Sequence, residues 1–253
     1  MEHLLDCSSF QSAEASITRA FSLSSRALKR QLTASLPDEY DIGPQLLLRL
    51  EQSNAHKPFD ACVCFHLTRR TADSRFDDGL LPTNTVAGRL WAQLEQLAGK
   101  QLTPNQWRQA RQTIESHTNH NAYLYRTKIS QRNGGPFGLV IKPNIYYPNG
   151  KPQYHFFHEP ETITDICRFI EDQYQINLLP LYQAKTVPCI VTFLFRQPCD
   201  YCTAAALEFL REQYLKPDQM SSVSAAIDAK GIAIPPDDII QIEDIDESDL
   251  MPR

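Results

Sequence analysis

The amino-acid sequence predicts an α+β fold, in which a helical N-terminal part precedes a mixed or antiparallel sheet core with flanking helices. Two observations predict this class. Apolar residues recur at helical spacing near the N-terminus, whereas runs of strand-forming residues separated by turn signals concentrate between residues 122 and 193. Helices and strands that are segregated in this way are typical of α+β proteins, and not of a doubly wound parallel sheet.

The N-terminal region, residues 1–57, is predicted to be helical. A first helix is expected over residues 9–36, with an apolar face formed by Ile17, Phe21, Leu28 and Leu32. Pro37 should end this helix, since proline disfavours helical backbone in the residue before it. A crowd of leucines predicts a second helix over residues 43–53.

The core domain is predicted over residues 58–245, followed by an acidic flexible tail over residues 246–253. Short runs rich in β-branched and aromatic residues predict strands at residues 59–66, 122–125, 137–141, 154–157, 189–193 and 238–242. Apolar stripes predict helices over residues 83–99, from Thr103 and Pro104 onward, over 162–174 and over 204–214. Turn signals at residues 133–136 and 148–150 separate neighbouring strands.

The charge distribution limits the function classes. The net charge is −5, and residues 237–249 contain seven carboxylates without a lysine or arginine. A general nucleic-acid coat is therefore disfavoured, because phosphate binding requires a basic face, although a local basic patch remains possible. The acidic C-terminal tail could instead bind a protein partner. No apolar stretch approaches the length of a membrane span, and no secretory signal precedes the first helix, so we expect a cytoplasmic protein with reduced thiols.

The segment from Cys62 to Trp91 carries the strongest functional signal. An apolar strand ends in His66-Leu67-Thr68, and Gly79-Leu80-Leu81-Pro82 precedes the next predicted helix. Because alternate residues of a strand share a face, His66 and Thr68 should lie side by side. An imidazole and a hydroxyl can both donate and accept hydrogen bonds, so this pair could hold a ribose or an amide. Gly79 could allow the backbone to approach a ligand closely, or could simply adopt a positive φ.

This segment resembles the nucleotide-binding start of the ADP-ribosyltransferase superfamily, in which a strand ending in His-x-Thr is followed by Gly-Leu-x-Pro. Here the matching residues are His66, Thr68, Gly79, Leu80 and Pro82. The resemblance covers about thirty residues. Leu67 replaces the common glycine of that motif, and the segment between its two halves is too short for the usual helix.

The resemblance implies that His66 and Thr68 position the ribose and nicotinamide of NAD, which would be the substrate. Tyr123 or Tyr125, on one predicted strand face, would supply an aromatic shelf for nicotinamide. Glu159 or Glu161 would supply the catalytic carboxylate. From its position beside this strand, Arg69 could engage the diphosphate. The acceptor of ADP-ribose is not identified, and nucleic acid is not excluded.

Two other hypotheses remain open. Cys199 and Cys202 form a Cys-x-x-Cys pattern between a predicted strand and helix, which suits a redox pair or, with Cys62 and Cys64, a zinc site. His155 and His158 are three residues apart on a predicted strand, so they should face opposite sides, and we assign no metal site to them. The alternative to an enzyme is a non-catalytic interaction or regulatory protein.

Overall fold

A computed structural model describes residues 2–36, 40–116, 123–130, 134–146, 155–197 and 200–246. About 50% of the described residues are helical and 16% are in strands, which confirms the predicted α+β class. In chain order, the α-helices are α1 (Phe10–Ala20), α2 (Ser25–Thr33), α3 (Ile42–Ser53), α4 (Thr83–Ala98), α5 (Pro104–Glu115), α6 (Tyr123–Ile129), α7 (His155–His158), α8 (Glu161–Tyr174), α9 (Leu179–Gln183) and α10 (Asp200–Leu215). The strands are β1 (Leu4–Leu5), β2 (Ala61–Arg70), β3 (Phe137–Leu139), β4 (Val187–Phe195), β5 (Ala226–Asp228) and β6 (Ile239–Asp244).

The sheet is mixed. Its strand order is β5-β3-β2-β4-β6, and β1 pairs with β2 off this path. β1 runs parallel to β2, with Leu4 opposite Ala61, whereas β3 runs antiparallel to β2, with Phe65 opposite Leu139. The sequence-based prediction of a mixed or antiparallel sheet is therefore confirmed.

The chain divides into two compact units. The first contains Met1–His66, Gly138–Lys151 and Thr192–Ile227, and the second contains Leu67–Phe137, Pro152–Val191 and Asp228–Arg253. The predicted helical region of residues 1–57 lies within the first unit. The strands β2 and β4 each continue from one unit into the other.

In the first unit, α10 packs against α1, α2 and α3. The serine hydroxyls of Ser9 and Ser24 accept hydrogen bonds from backbone N–H groups in the first turns of α1 and α2, which satisfies donors that a helix start leaves unpaired. α3 approaches α10 so closely that a Cβ on Gly43 would lie 2.6 Å from the carbonyl oxygen of Ala204. A side chain at position 43 would therefore displace one of the two helices.

In the second unit, α4, α5, α6 and α8 surround a core that contains both tryptophans. Trp91 packs edge-on against Trp107 and against Tyr125. α5 begins with a capping box, in which the Thr103 hydroxyl accepts from the Gln106 N–H and the Gln106 side chain accepts from the Thr103 N–H. The helix start predicted from Thr103 and Pro104 is confirmed.

Three local predictions are wrong. The single helix expected over residues 9–36 is two helices, because Ser22 adopts a positive φ of 53° between α1 and α2. The strands expected at residues 122–125 and 154–157 are helical where the structure describes them, in α6 and α7. α6 packs on α8, and Asp165 of α8 accepts from the backbone N–H of Tyr125 in its first turn. This long-range cap outweighs the strand propensity of tyrosine.

Candidate nucleotide site on strand β2

The candidate site begins with a change of burial along β2. Residues 61–65 are all buried, whereas His66, Leu67 and Thr68 are half-buried. His66 and Thr68 are two residues apart on one continuous strand, so their side chains share a face of β2. The strand prediction that paired these two polar groups is confirmed, and β2 extends four residues beyond the end expected at His66.

Arg69 follows Thr68 and points to the opposite face, where it is 5% exposed. Its guanidinium donates to the carbonyl oxygens of Phe157 at 2.7 Å, Thr186 at 2.9 Å and Gln183 at 3.0 Å. Its Nε also donates to the Thr186 hydroxyl at 2.9 Å. The side chain thereby joins β2 to the end of α7 and to the turn between α9 and β4. This geometry does not favour the predicted contact between Arg69 and a diphosphate.

Arg70 closes the loop that leaves β2. Its guanidinium forms a two-bond ion pair with Asp244, at 2.9 and 2.7 Å, and the hydrogen bond with Asp244 raises the pKa of Arg70. The same side chain donates to the carbonyl oxygens of Thr71, Ala72 and Ser74. Arg70 therefore fixes both the end of the strand and the first residues after it.

Gly79 is required by local geometry. Its φ is +80°, and a Cβ at this position would lie 2.1 Å from the carbonyl oxygen of Ile234. The next residue, Leu80, exchanges two backbone hydrogen bonds with Ile234, each of 2.9 Å. The glycine therefore has a structural explanation, whether or not a ligand also approaches it.

The Gly-Leu-Leu-Pro segment is also held at its other end. The backbone N–H of Thr83, which begins α4, donates to the carbonyl oxygen of Gly134 at 3.0 Å. Gly134 lies three residues before β3, and β3 is a neighbour of β2 in the sheet. The segment Gly79–Pro82 is thus followed by a residue that bonds just before β3, and β3 in turn pairs with β2, which carries His66 and Thr68.

Tyr125 is completely buried. Its hydroxyl accepts from Trp91 Nε1 at 2.9 Å and donates to Glu115 Oε1 at 3.2 Å. Burial raises the pKa of Tyr125 to about 12. The ring is buried and its hydroxyl is hydrogen-bonded within the protein, so the geometry does not favour a role in catalysis or in stacking on nicotinamide. Tyr123 is 65% exposed, on α6 and not on the strand that was expected.

Glu159 lies between α7 and α8 and forms an ion pair of 3.0 Å with Arg168. It is two residues from Phe157, whose carbonyl group accepts a hydrogen bond from Arg69. The other candidate, Glu161, forms an ion pair with Lys128. Both candidate carboxylates are therefore held in ion pairs with neighbouring basic side chains.

Four of the six cysteines in the described residues form a buried cluster in the first unit. Cys7, Cys62, Cys64 and Cys202 are each fully buried. The hydrogen bond with Cys202 lowers the pKa of the Cys62 thiol, but a hydrogen bond with Cys64 and burial outweigh it and raise that pKa. Burial also raises the pKa of Cys7. Protonated, buried thiols are poor nucleophiles, so the cluster packs as small apolar groups. Cys199 lies outside the described residues.

Within the residues that the structure describes, no three His, Cys, Asp or Glu side chains are grouped so that they could hold a metal ion. Over the same residues, no helix has both the length and the apolar character that a membrane crossing needs. The acidic tail predicted over residues 246–253 is outside the described residues from Glu247 onward.

Sequence reasoning missed the roles of two residues that contact Tyr125 in the second unit. Asp165 caps α6, and burial raises its pKa above the ordinary value. Trp91 donates to the Tyr125 hydroxyl. Neither role has a local sequence signal, because both partners are distant along the chain. Comparison with protein-family models, with curated proteins and with solved structures gives no match.

Proposed function

We propose that this protein is an ADP-ribosyltransferase-like enzyme, which binds NAD through His66 and Thr68 and transfers ADP-ribose to an unidentified acceptor. One observation carries the proposal. Two polar side chains, both half-buried, share one face of β2 directly after a fully buried stretch. Such a position combines a fixed backbone with polar groups that are not sealed in the core, as a binding site requires.

His66 and Thr68 lie near a strand end that many hydrogen bonds hold in place. Arg69 and Arg70 together make hydrogen bonds to six backbone carbonyl groups around the end of β2. A ligand that binds to His66 and Thr68 would not need to order this end of the strand, which lowers the entropic cost of binding.

The proposed reaction breaks the bond between C1′ of the nicotinamide ribose and the nicotinamide nitrogen. Nicotinamide leaves with the bonding electron pair, the acceptor's oxygen or nitrogen forms a new bond to C1′, and the acceptor loses a proton. A carboxylate would stabilise the positive charge that develops on the ribose. Glu159 remains the proposed carboxylate, and it can serve only if its ion pair with Arg168 opens. The acceptor could be a protein, a nucleic acid or a small molecule.

Binding tests the first part of this proposal. Titration calorimetry should show that NAD binds the wild-type chain and that His66→Ala weakens its affinity about tenfold, as expected for one lost hydrogen bond of about 0.5–1.5 kcal/mol. Thr68→Val should act in the same direction. Thr113→Val is the matched control, because Thr113 is also half-buried but lies on α5.

Thermal melting separates binding from folding. His66→Ala should melt close to the wild type, whereas Phe65→Ala should lose about 3–5 kcal/mol because Phe65 is a buried core residue. If His66→Ala melts early and binds NAD normally, His66 is a structural histidine. Wild-type protein that neither binds NAD nor releases nicotinamide would refute the proposal as a whole.

A further inference from the structure

The solvent-facing side of α2 is basic. No aspartate or glutamate occurs in residues 15–36, whereas four basic side chains in this stretch are exposed: Arg19, Arg26, Lys29 and Arg30. Arg26 and Arg30 are four residues apart, so they are neighbours on the helix surface, opposite Leu28 and Leu32, which are completely buried. The local basic patch that the sequence permitted is therefore found on α2 and on the last turn of α1.

Three guanidinium groups of this patch are unpaired in the described part of the chain. Those of Arg19, Arg26 and Arg30 make no ion pair, hydrogen bond or ring contact with any residue that the structure describes. Lys29 differs from them, because its Nζ lies 5.4 Å from the centre of the Tyr214 ring. The three exposed guanidinium groups are therefore available to an anionic partner.

The stability of α2 does not account for Arg26. This arginine is the second residue of the helix, and a cation in the first turn opposes the helix dipole. Arg26 and Arg30 are also like charges at positions i and i+4, an arrangement that destabilises a helix. The last carbonyl groups of α2, where a cation is favourable, already accept from Arg49 and Arg211. A cation that opposes folding and has no partner in the described chain is typical of a binding surface.

The chemistry of this face favours the phosphate backbone of a nucleic acid over other anionic partners. Guanidinium groups bind phosphate oxygens through paired N–H donors. An acidic peptide would also need apolar anchor residues, and a membrane-bound helix inserts its apolar side, whereas the apolar side of α2 is buried. Among the described residues, no exposed large apolar or aromatic side chain lies on α1 or α2. Because bases of a single strand bind by stacking on aromatic rings, a duplex fits this face better.

We propose that the exposed face of α1 and α2 binds the phosphate backbone of duplex nucleic acid without sequence preference. Arg26 and Arg30 would contact phosphates along α2, and Arg19 would add a third contact from the end of α1. The net charge of −5 does not oppose such a local site, because salt screens charges that lie more than about 8 Å away in solvent. This inference does not depend on the proposed NAD site.

Fluorescence anisotropy tests this face with two fluorescein-labelled duplexes of mixed sequence, one of DNA and one of RNA, each about two helical turns long. The full chain should bind at about 50 mM salt and weaken toward about 200 mM. The logarithm of affinity should fall against that of salt with a slope of about −2 to −3, as three phosphate contacts predict. Binding of either duplex supports the proposal, and the two arms show which nucleic acid is preferred.

Arginine variants assign the binding to α2. Arg26→Gln should weaken duplex binding about three- to tenfold and make the salt slope shallower by about one, and adding Arg30→Gln should make it shallower by about two in all. Arg108→Gln is the matched control. Arg108 is also an exposed helical arginine, but it lies on α5 and donates to Asn105. Its variant should keep the affinity and salt slope of the wild type.

Urea denaturation separates a binding role from a structural one. Arg26→Gln should be at least as stable as the wild type, because it removes a cation from the first turn of α2 and a like charge beside Arg30. A lower urea midpoint for this variant would make Arg26 a structural residue and would overturn the proposal. NAD affinity should be the same in Arg26→Gln and wild type, so this test is separate from that of the proposed enzyme function.

Other results would also overturn the proposal: no binding of either duplex at about 50 mM salt, an unchanged salt slope in the double variant, or equal weakening by Arg108→Gln. Two further probes are a polyglutamate peptide and vesicles of phosphatidylcholine and phosphatidylserine in about equal parts. If one of these binds in place of the duplexes and requires Arg26 and Arg30, the face serves an acidic protein or a membrane, and the proposal is wrong.

Discussion

The cores of the two units are built from different chemistry. In the first unit, α10 packs against α1, α2 and α3, and the buried side chains include aliphatic residues, phenylalanines and four thiols. In the second, buried aromatic residues are accompanied by directed polar contacts, among them those of Arg69, Tyr125 and Asp165. Apolar burial is non-directional and tolerates changes that conserve volume, whereas a buried hydrogen bond depends on each partner.

The difference teaches where single substitutions should act. In the first unit, a side chain can be exchanged for another of similar size with modest cost. In the second, removal of one donor leaves buried acceptors unpaired, and the full desolvation cost of those acceptors remains. Substitutions that separate these two situations test the comparison directly.

Arg69→Met should have the largest effect. It keeps the length of the side chain but removes the donors to three carbonyl groups, on Phe157, Gln183 and Thr186. The free energy of unfolding should fall by about 3–5 kcal/mol, since buried acceptors lose a charged donor. Urea denaturation followed by circular dichroism measures this change.

The control is Arg89→Met. Arg89 forms an ion pair with Asp78, and both side chains are more than half exposed, at 68% and 61%. Exposed ion pairs of this kind contribute about 0–1 kcal/mol. If the two variants lose equal stability, the contacts of Arg69 do not hold the second unit together, and the comparison between the cores fails.

The same contrast explains how much of the fold could be predicted. The bounds of α4 agree with the prediction to within one residue, and the predicted start of α5 is correct, because an apolar stripe and a threonine cap followed by proline are local signals. The strand assignments near Tyr125 and Phe157 failed, because aromatic residues favour strands while the deciding contacts come from elsewhere. Asp165 caps α6 from 40 positions away, and Arg69 reaches Phe157 across 88.

The candidate site shows the same limit. His66 and Thr68 could be paired from sequence, because alternation along a strand is a local rule. The role predicted for Arg69 rested on its position next to them, and its partners lie 88 to 117 positions away. The carboxylate could not be assigned either, since Glu159 and Glu161 are equally close to the motif in sequence and their ion pairs with Arg168 and Lys128 have no local signature.

Substitutions at two glycines also test the comparison between the units, and their expected effects on the free energy of unfolding are smaller. Gly43→Ala should lower the free energy of unfolding by about 1–3 kcal/mol, because the new Cβ would lie 2.6 Å from the carbonyl oxygen of Ala204 and one helix must shift. Gly88→Ala, in the interior of α4, should raise it by about 0.5–1 kcal/mol, since no atom lies within 4 Å of the new Cβ and alanine favours helix. Urea midpoints measure both. Equal shifts for the two variants would mean that α3 and α10 are not in close contact.

Of these substitutions, Asp165→Asn should change the free energy of unfolding least at neutral pH. The size of this change should depend on pH. Burial raises the pKa of Asp165 above its ordinary value, although the hydrogen bond from the Tyr125 N–H lowers it. Glu161 also raises this pKa, whereas Lys128 and Arg168 lower it. An asparagine keeps an acceptor for the Tyr125 N–H but cannot ionise, so it isolates the contribution of the charge.

The sign of this pH dependence follows from how strongly Asp165 binds its proton in the folded and the unfolded state. The unfolded aspartate has a pKa of about 3.9. Between that value and the raised folded pKa, the folded state holds the proton more strongly than the unfolded state does. The stability that protonation contributes is therefore complete below about pH 4 and is lost as pH rises through the folded pKa. Wild-type protein should lose stability relative to Asp165→Asn over this range, as urea denaturation at several pH values would show. Asp172→Asn, at an exposed position on the same helix, is the control. If the difference between wild type and Asp165→Asn is constant with pH, the Asp165 carboxylate ionises as freely in the folded chain as in the unfolded one, and its contact with Tyr125 carries no buried charge.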